Sequence, residues 1–148
     1  MLKGIDVSAH QYIINWDVAS KEIDFAIIRC GFGDDLESQD DRYYIKNVEE
    51  CIKHNIPFGV YLYSYANNDN RFDSELRHTK RLLEMLPQKP FCVYYDMEDK
   101  STVGLGKDKL TSYGLKFCQY FNELGYNVGI YANQNWCQNY LDLGQLKA

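Results

Sequence analysis

The chain has 148 residues and a formal net charge of −5, with 45% hydrophobic and 25% charged side chains. This is globular composition at the length of one domain rather than that of a disordered chain, and no apolar run approaches the roughly 18 residues of a membrane span. The acidic balance argues against nucleic acid as a partner, which would require a basic face.

Along the chain the hydrophobic period switches between two and about 3.6 residues. Strand-like runs cover Lys3–Ser8, Phe25–Gly31, Phe58–Tyr65, Phe91–Glu98 and Val128–Ala132. Helical stretches lie between them. Asp41–His54 stripes Tyr44, Val48, Cys51 and Ile52 on one face. Arg71–Leu86 stripes Phe72, Leu76, Leu82, Leu83 and Leu86 and stops at Pro87. Asp108–Leu124 stripes Leu110, Tyr113, Phe117, Phe121 and Leu124, with Gly125 placed as its C′ residue, and Asn135–Leu143 is expected to form a short last helix. Strand and helix alternating at this spacing predict an α/β chain with a parallel sheet.

Five such units permit an open flavodoxin-like doubly wound sheet or part of a TIM-like barrel. Length favours the open sheet, because a complete barrel takes about 200 residues or more. Side-chain parity favours an irregular, incomplete βα barrel. Each strand pairs an apolar face (Ile5 and Val7; Val60 and Leu62; Val93, Tyr95 and Met97) with one that turns polar or aromatic towards its C-terminal end (Asp6; Tyr61 and Tyr63; Tyr94, Asp96 and Glu98; Tyr131). A doubly wound sheet, covered on both faces, would read as continuously apolar.

The candidate chemistry lies in YYDMED. Asp96 and Glu98 at i and i+2 on a strand share a face about 6.6 Å apart along the backbone. With Asp6 beside them they cannot all ionise freely, so one keeps a proton near neutral pH. One protonated and one ionised carboxyl is what glycoside hydrolysis requires. The alternative is a solvated acidic loop, since Asp99 and Lys100 follow. Tyr61, Tyr63 and Tyr131 are expected on the same inner face, where phenol rings pack on sugar C–H faces. Arg29, in FAIIRCGFG, is expected to form a structural salt bridge with the acidic cluster. Metal hydrolysis through Asp6, His10, Asp96 and Glu98 is a weaker reading, since no second histidine is suitably placed, and neither metal nor cofactor is expected. The five cysteines are spread singly, without a CxxC pair, and are expected to be reduced thiols.

The successive motifs GIDVSAHQ, FAIIRCGFG, DRYYIKNVEECIKHNIPFGVYLYSYA, YYDMED and GYNVGIYANQNW resemble glycoside hydrolase family 25, the lysozymes of phage endolysins and bacterial autolysins. The resemblance implies an incomplete βα barrel over one catalytic domain, residues 1–148. It implies muramidase action on the N-acetylmuramic acid to N-acetylglucosamine bond of peptidoglycan glycan strands. It makes Glu98 the general acid/base, Asp96 the partner of the substrate acetamide or of the cation, and Asp6 the acid closing the first strand. Tyr61 and Tyr131 fall at the family's groove-lining positions. The family domain continues through further strands beyond LDLGQLKA, so a C-terminally truncated domain is expected, with self-association through exposed sheet edges. A remnant that binds glycan or pairs with a partner is the alternative. MLKGIDVSAH carries no signal-peptide apolar segment. Synthesis in the cytoplasm, action on the cell wall after release and no membrane insertion are therefore expected.

Overall fold

The structure, a computed structural model, describes residues 1–147. Its five strands are β1 (Gly4–Val7), β2 (Phe25–Phe32), β3 (Phe58–Tyr63), β4 (Val93–Asp96) and β5 (Val128–Tyr131). They form one parallel sheet in the order β1-β2-β3-β4-β5. Sequential order is the winding of a barrel. A flavodoxin-like sheet reverses direction at a switch point, and this chain does not. The two outer strands stay unjoined, so the barrel is open.

The helices are α1 (Trp16–Ala19), α2 (Tyr44–Lys53), α3 (Asp69–Glu84), α4 (Lys107–Glu123), α5 (Gln134–Asn139) and α6 (Leu143–Leu146). In α3, the Asn68 side chain caps the first turn by accepting from the Arg71 N–H. The end of α4 is a Schellman turn. Gly125 has φ 93°, its N–H reaches Asn122 O, and the Tyr126 N–H reaches Phe121 O. The expected Asn135–Leu143 helix divides into α5 and α6, each with its own side-chain cap, Asn133 and Asp142. Leu124, expected in the α4 stripe, is exposed because it falls at the C-cap, beyond the last packed turn. No helix is long and apolar enough to cross a membrane among the described residues.

Parity sorts the strand side chains as expected. Ala26, Ile28, Cys30, Val60, Leu62, Val93, Tyr95 and Met97 are buried in the core with α2, α3 and α4. Aromatic stacking fills that core, with Phe72 on Tyr113 at 4.3 Å and Tyr95 on Phe117 at 4.4 Å between ring centroids. The tyrosine content thus divides between two tasks. Tyr44, Tyr95 and Tyr113 are core residues, while Tyr61, Tyr63, Tyr65, Tyr94 and Tyr131 line cavities on the other face. All five cysteines are free thiols, two of them buried.

Candidate active site

The face of the sheet away from the helices carries one cleft in two compartments. The first, about 300 Å³, is apolar and lies towards the strand beginnings, against Gly4, Phe25, Ile27 and Tyr94. The second, about 320 Å³, opens at the C-terminal strand ends and is polar, with His10, Arg29, Tyr63 and Glu98. Asp6, Tyr61, Asp96 and Tyr131 line both. All six residues that the sequence singled out therefore face the same cleft.

The strand register explains the convergence. Arg29 pairs with Tyr61 and Tyr61 with Tyr94, while Tyr63 pairs with Asp96 and Asp96 with Tyr131. Partners across parallel strands point to one side, so two rows of reactive and aromatic groups cross the sheet. The Tyr94 ring lies over two glycines on that face, Gly59 and Gly129. A Cβ at Gly129 would stand 3.0 Å from its ring, and one at Gly59 3.1 Å.

β4 ends at Asp96, two residues earlier than expected, so Glu98 projects from the connection that follows. That connection is shaped by Asp99, which accepts from the Ser101 N–H at the start of a 3₁₀ turn and from the Tyr63 hydroxyl at 3.1 Å. The acidic loop reading thus describes Asp99, while Asp96 is only 4% exposed. Asp96 Oδ1 has no hydrogen-bond partner among the described residues. Burial, then the charge of Glu98 and a hydrogen bond with it, then Asp6, push the Asp96 carboxyl up to about 8, against the opposing pull of Arg29. The buried Tyr61 hydroxyl is likewise held in its neutral form, by burial and by Asp6.

Arg29 departs from expectation. Its Nε donates at 2.9 Å to Asp41, whose side chain is fully buried, rather than to the cleft carboxylates. A bulge in β2 is the cause. The β2–β3 register shifts between Arg29 and Gly31, and the Cys30 carbonyl turns to accept the Asp41 N–H at 2.8 Å. Asp41 also accepts from the backbone N–H groups of Ala9 and Tyr43, which ties the loop after β1 to the start of α2. From sequence Asp41 reads only as the first residue of a helical stretch. His10 stands 3.5 Å from Arg29 through Nε2. Ser8 caps the 3₁₀ turn Ala9–Gln11 in a capping box with Gln11. The loop after β1 thus combines a cap with a cleft acid, Asp6. Among the described residues, no three His, Cys, Asp or Glu side chains converge on a metal-sized point.

Known proteins place this geometry in a family. The chain is 27% identical to the modular autolysin LytC from Streptococcus pneumoniae, with a TM-score of 0.80, covering 99% of this chain and 35% of that one. A family 25 glycosyl hydrolase from Bacillus anthracis shares the fold at a TM-score of 0.77 and 22% identity, over 95% of this chain and 64% of that one. The catalytic domain of endolysin ply40, from bacteriophage P40 of Listeria monocytogenes, does so at 0.79 and 20%, over 94% and 68%. The chain thus spans about a third of the length of LytC. No curated protein matches it. The family model for glycosyl hydrolases family 25 matches residues 5–148, and the chain belongs to that family.

Proposed function

We propose that residues 1–148 act as a single catalytic domain, a peptidoglycan hydrolase that cleaves the β-1,4 bond between N-acetylmuramic acid and N-acetylglucosamine. The observation that carries this reading is the buried Asp96. It has an unpartnered oxygen and a raised pKa, and it faces a cleft that also holds Glu98, Asp6 and four tyrosines, Tyr61, Tyr63, Tyr65 and Tyr131.

Asp96 and Glu98 together retain one proton, which burial places on Asp96 while the cleft holds only water. An acetamide N–H entering the site bonds more strongly to an ionised carboxylate than to a neutral carboxyl, and Asp96 Oδ1 is available to accept it. Accepting that N–H favours the Asp96 carboxylate, and its proton passes along the hydrogen bond to Glu98. Glu98 then donates it to the glycosidic oxygen as the C1–O bond breaks. The acetamide carbonyl oxygen bonds to C1, giving a cyclic intermediate whose N–H is held by Asp96. Water activated by Glu98 opens that ring and returns the proton. Asp6 adds negative charge beside the developing cation. Tyr61, Tyr63 and Tyr131 supply packing surfaces for the sugar rings. The partner in this reading is the glycan strand of the cell wall, reached after release from the cytoplasm.

A second reading rests on the two unpaired strand edges, β1 and β5, which flank the cleft. It has the chain bind glycan or a second copy without hydrolysis. Purified peptidoglycan incubated with the chain and with Glu98→Gln separates the two. Mass spectrometry should find new reducing-end muramic acid with the parent and none with the variant. A folded parent that releases nothing leaves only the second reading.

A further inference from the structure

Beyond the cleft, a separate cavity of about 300 Å³ opens where β2 and β3 end, against Gly33, Asp34, Gln39, Tyr65, Asn67 and Arg71. It adjoins the polar compartment through Tyr65, which lines both. Tyr63, Tyr65 and Phe32 form a continuous aromatic wall, with centroids 5.0 and 6.2 Å apart. The wall is rigid. The Tyr65 N–H donates at 2.7 Å to the buried Glu75 carboxylate. On the opposite side, Arg81 holds Asp35 and Asp40, and Asp40 also meets His78 at 2.7 Å.

Three polar groups in this cavity lack firm partners. The Arg71 side chain is 49% exposed, and its Nε lies 4.0 Å from Asp34 while Nη1 reaches Asn67 at 3.4 Å. That is too loose for a closed ion pair. The Asp34 carboxylate has no hydrogen bond or ion pair nearer than that 4.0 Å approach among the described residues, since Arg81 is taken by Asp35 and Asp40. Gln39 Oε1 is buried and has no hydrogen-bond donor among the described residues. A Cβ on Gly33 would stand 2.8 Å from that oxygen, so glycine keeps the amide reachable.

The geometry points to a site for the peptide stem of the muramyl unit, alongside the glycan cleft. The site would take a ligand that presents a carboxylate to Arg71, an ammonium to Asp34 and an amide N–H to Gln39. A short peptide containing a diamino acid carries all three groups. An N-acetylglucosamine ring carries neither charge. The inference rests on the peptidoglycan reading above and names a determinant of substrate choice within it.

Calorimetry with the Glu98→Gln protein, which holds substrate without cutting it, tests the proposal. The probes are a tetrasaccharide of alternating N-acetylglucosamine and N-acetylmuramic acid, bare with its lactyl carboxyls capped as methylamides or carrying pentapeptide stems. The stem-bearing probe should bind about tenfold tighter, the scale of one partly exposed charge-assisted contact. Adding Arg71→Ala should erase that difference and leave binding of the bare sugar unchanged. Asp34→Asn should remove the preference for a stem with a free amine over its acetylated form. Equal affinity for the two probes, or an Arg71→Ala loss shared by both, overturns the stem site while the glycan reading stands. Failure of the bare tetrasaccharide to bind overturns both.

Discussion

Replacing Asp96 by Asn should stabilise the protein, and by an amount that depends on pH. An Asp carboxyl ordinarily titrates near 3.8, and in the folded chain Asp96 is pushed up to about 8 by burial and by Glu98. Below about pH 4 the group is protonated in folded and unfolded chains alike and favours neither. As pH rises from 4 to 8, the unfolded chain releases the proton while the folded chain must keep it, so stability falls. Above 8 the loss is complete. Each tenfold in proton affinity is worth about 1.4 kcal/mol, so the whole displacement corresponds to about 6 kcal/mol. Asp96 and Glu98 share the proton, and removing one also relieves the other, so a measured gain of about 3 kcal/mol is expected at pH 9. Asn has the same shape and no charge to bury. Urea unfolding of both proteins at pH 4 and pH 9 measures the effect. Asp96→Asn should match the parent at pH 4 and exceed it at pH 9, while losing hydrolysis. Glu75, also raised by burial, to about 7, contributes with the same sign to both proteins and cancels in the comparison. A gain equal at the two pH values, or a loss at pH 9, would refute the argument that a charge is buried at this site.

Other substitutions probe the frame around the pair. Asp41→Asn should cost about 3 kcal/mol in urea unfolding, because it leaves the Arg29 guanidinium without its buried anion. Glu75→Gln should cost about 1–3 kcal/mol, since three donors converge on that carboxylate, the Tyr95 and Ser64 hydroxyls and the Tyr65 N–H. Circular dichroism melts would show a Tm within a degree or so of the parent if that network were dispensable. Tyr131 is 52% exposed, so Tyr131→Ala should leave stability unchanged and raise KM about tenfold through lost ring stacking. An unchanged KM would remove Tyr131 from the substrate-binding surface.

Much of this architecture is legible in local pattern. The alternation of period two and period 3.6 located five strands and the long helices, because burial on one face imposes those periods wherever a sheet packs on helices. Parity assigned Asp6, Tyr61, Tyr63, Tyr94, Asp96 and Tyr131 to one face without any knowledge of neighbours, since adjacent side chains on a strand must point opposite ways. Gly125 was readable as a helix stop for an equally local reason: the C′ residue needs a positive φ that glycine adopts freely. Boundaries at the rim were less readable. Glu98 continues the alternation, yet it lies past the end of β4, where the chain follows the Asp99 turn instead of the sheet.

What no local pattern contains is the pairing of distant groups. Arg29 was expected to meet the cleft carboxylates, and only the β2 bulge, with the loop it turns, brings Asp41 to it across twelve residues. Which acid carries the raised pKa is likewise a tertiary matter. Asp96 carries it because the folded chain seals that carboxyl beneath its neighbours with Glu98 and Asp6 beside it. The cavity beside Arg71 joins the ends of β2 and β3 to the first turn of α3 and to Ser101, residues up to 69 positions apart, and has no signature in the sequence. Periodicity records which face a side chain takes, because that choice is made within a few residues. Charge environment and cavity shape depend on what the rest of the chain places opposite, and they exist only once it has folded.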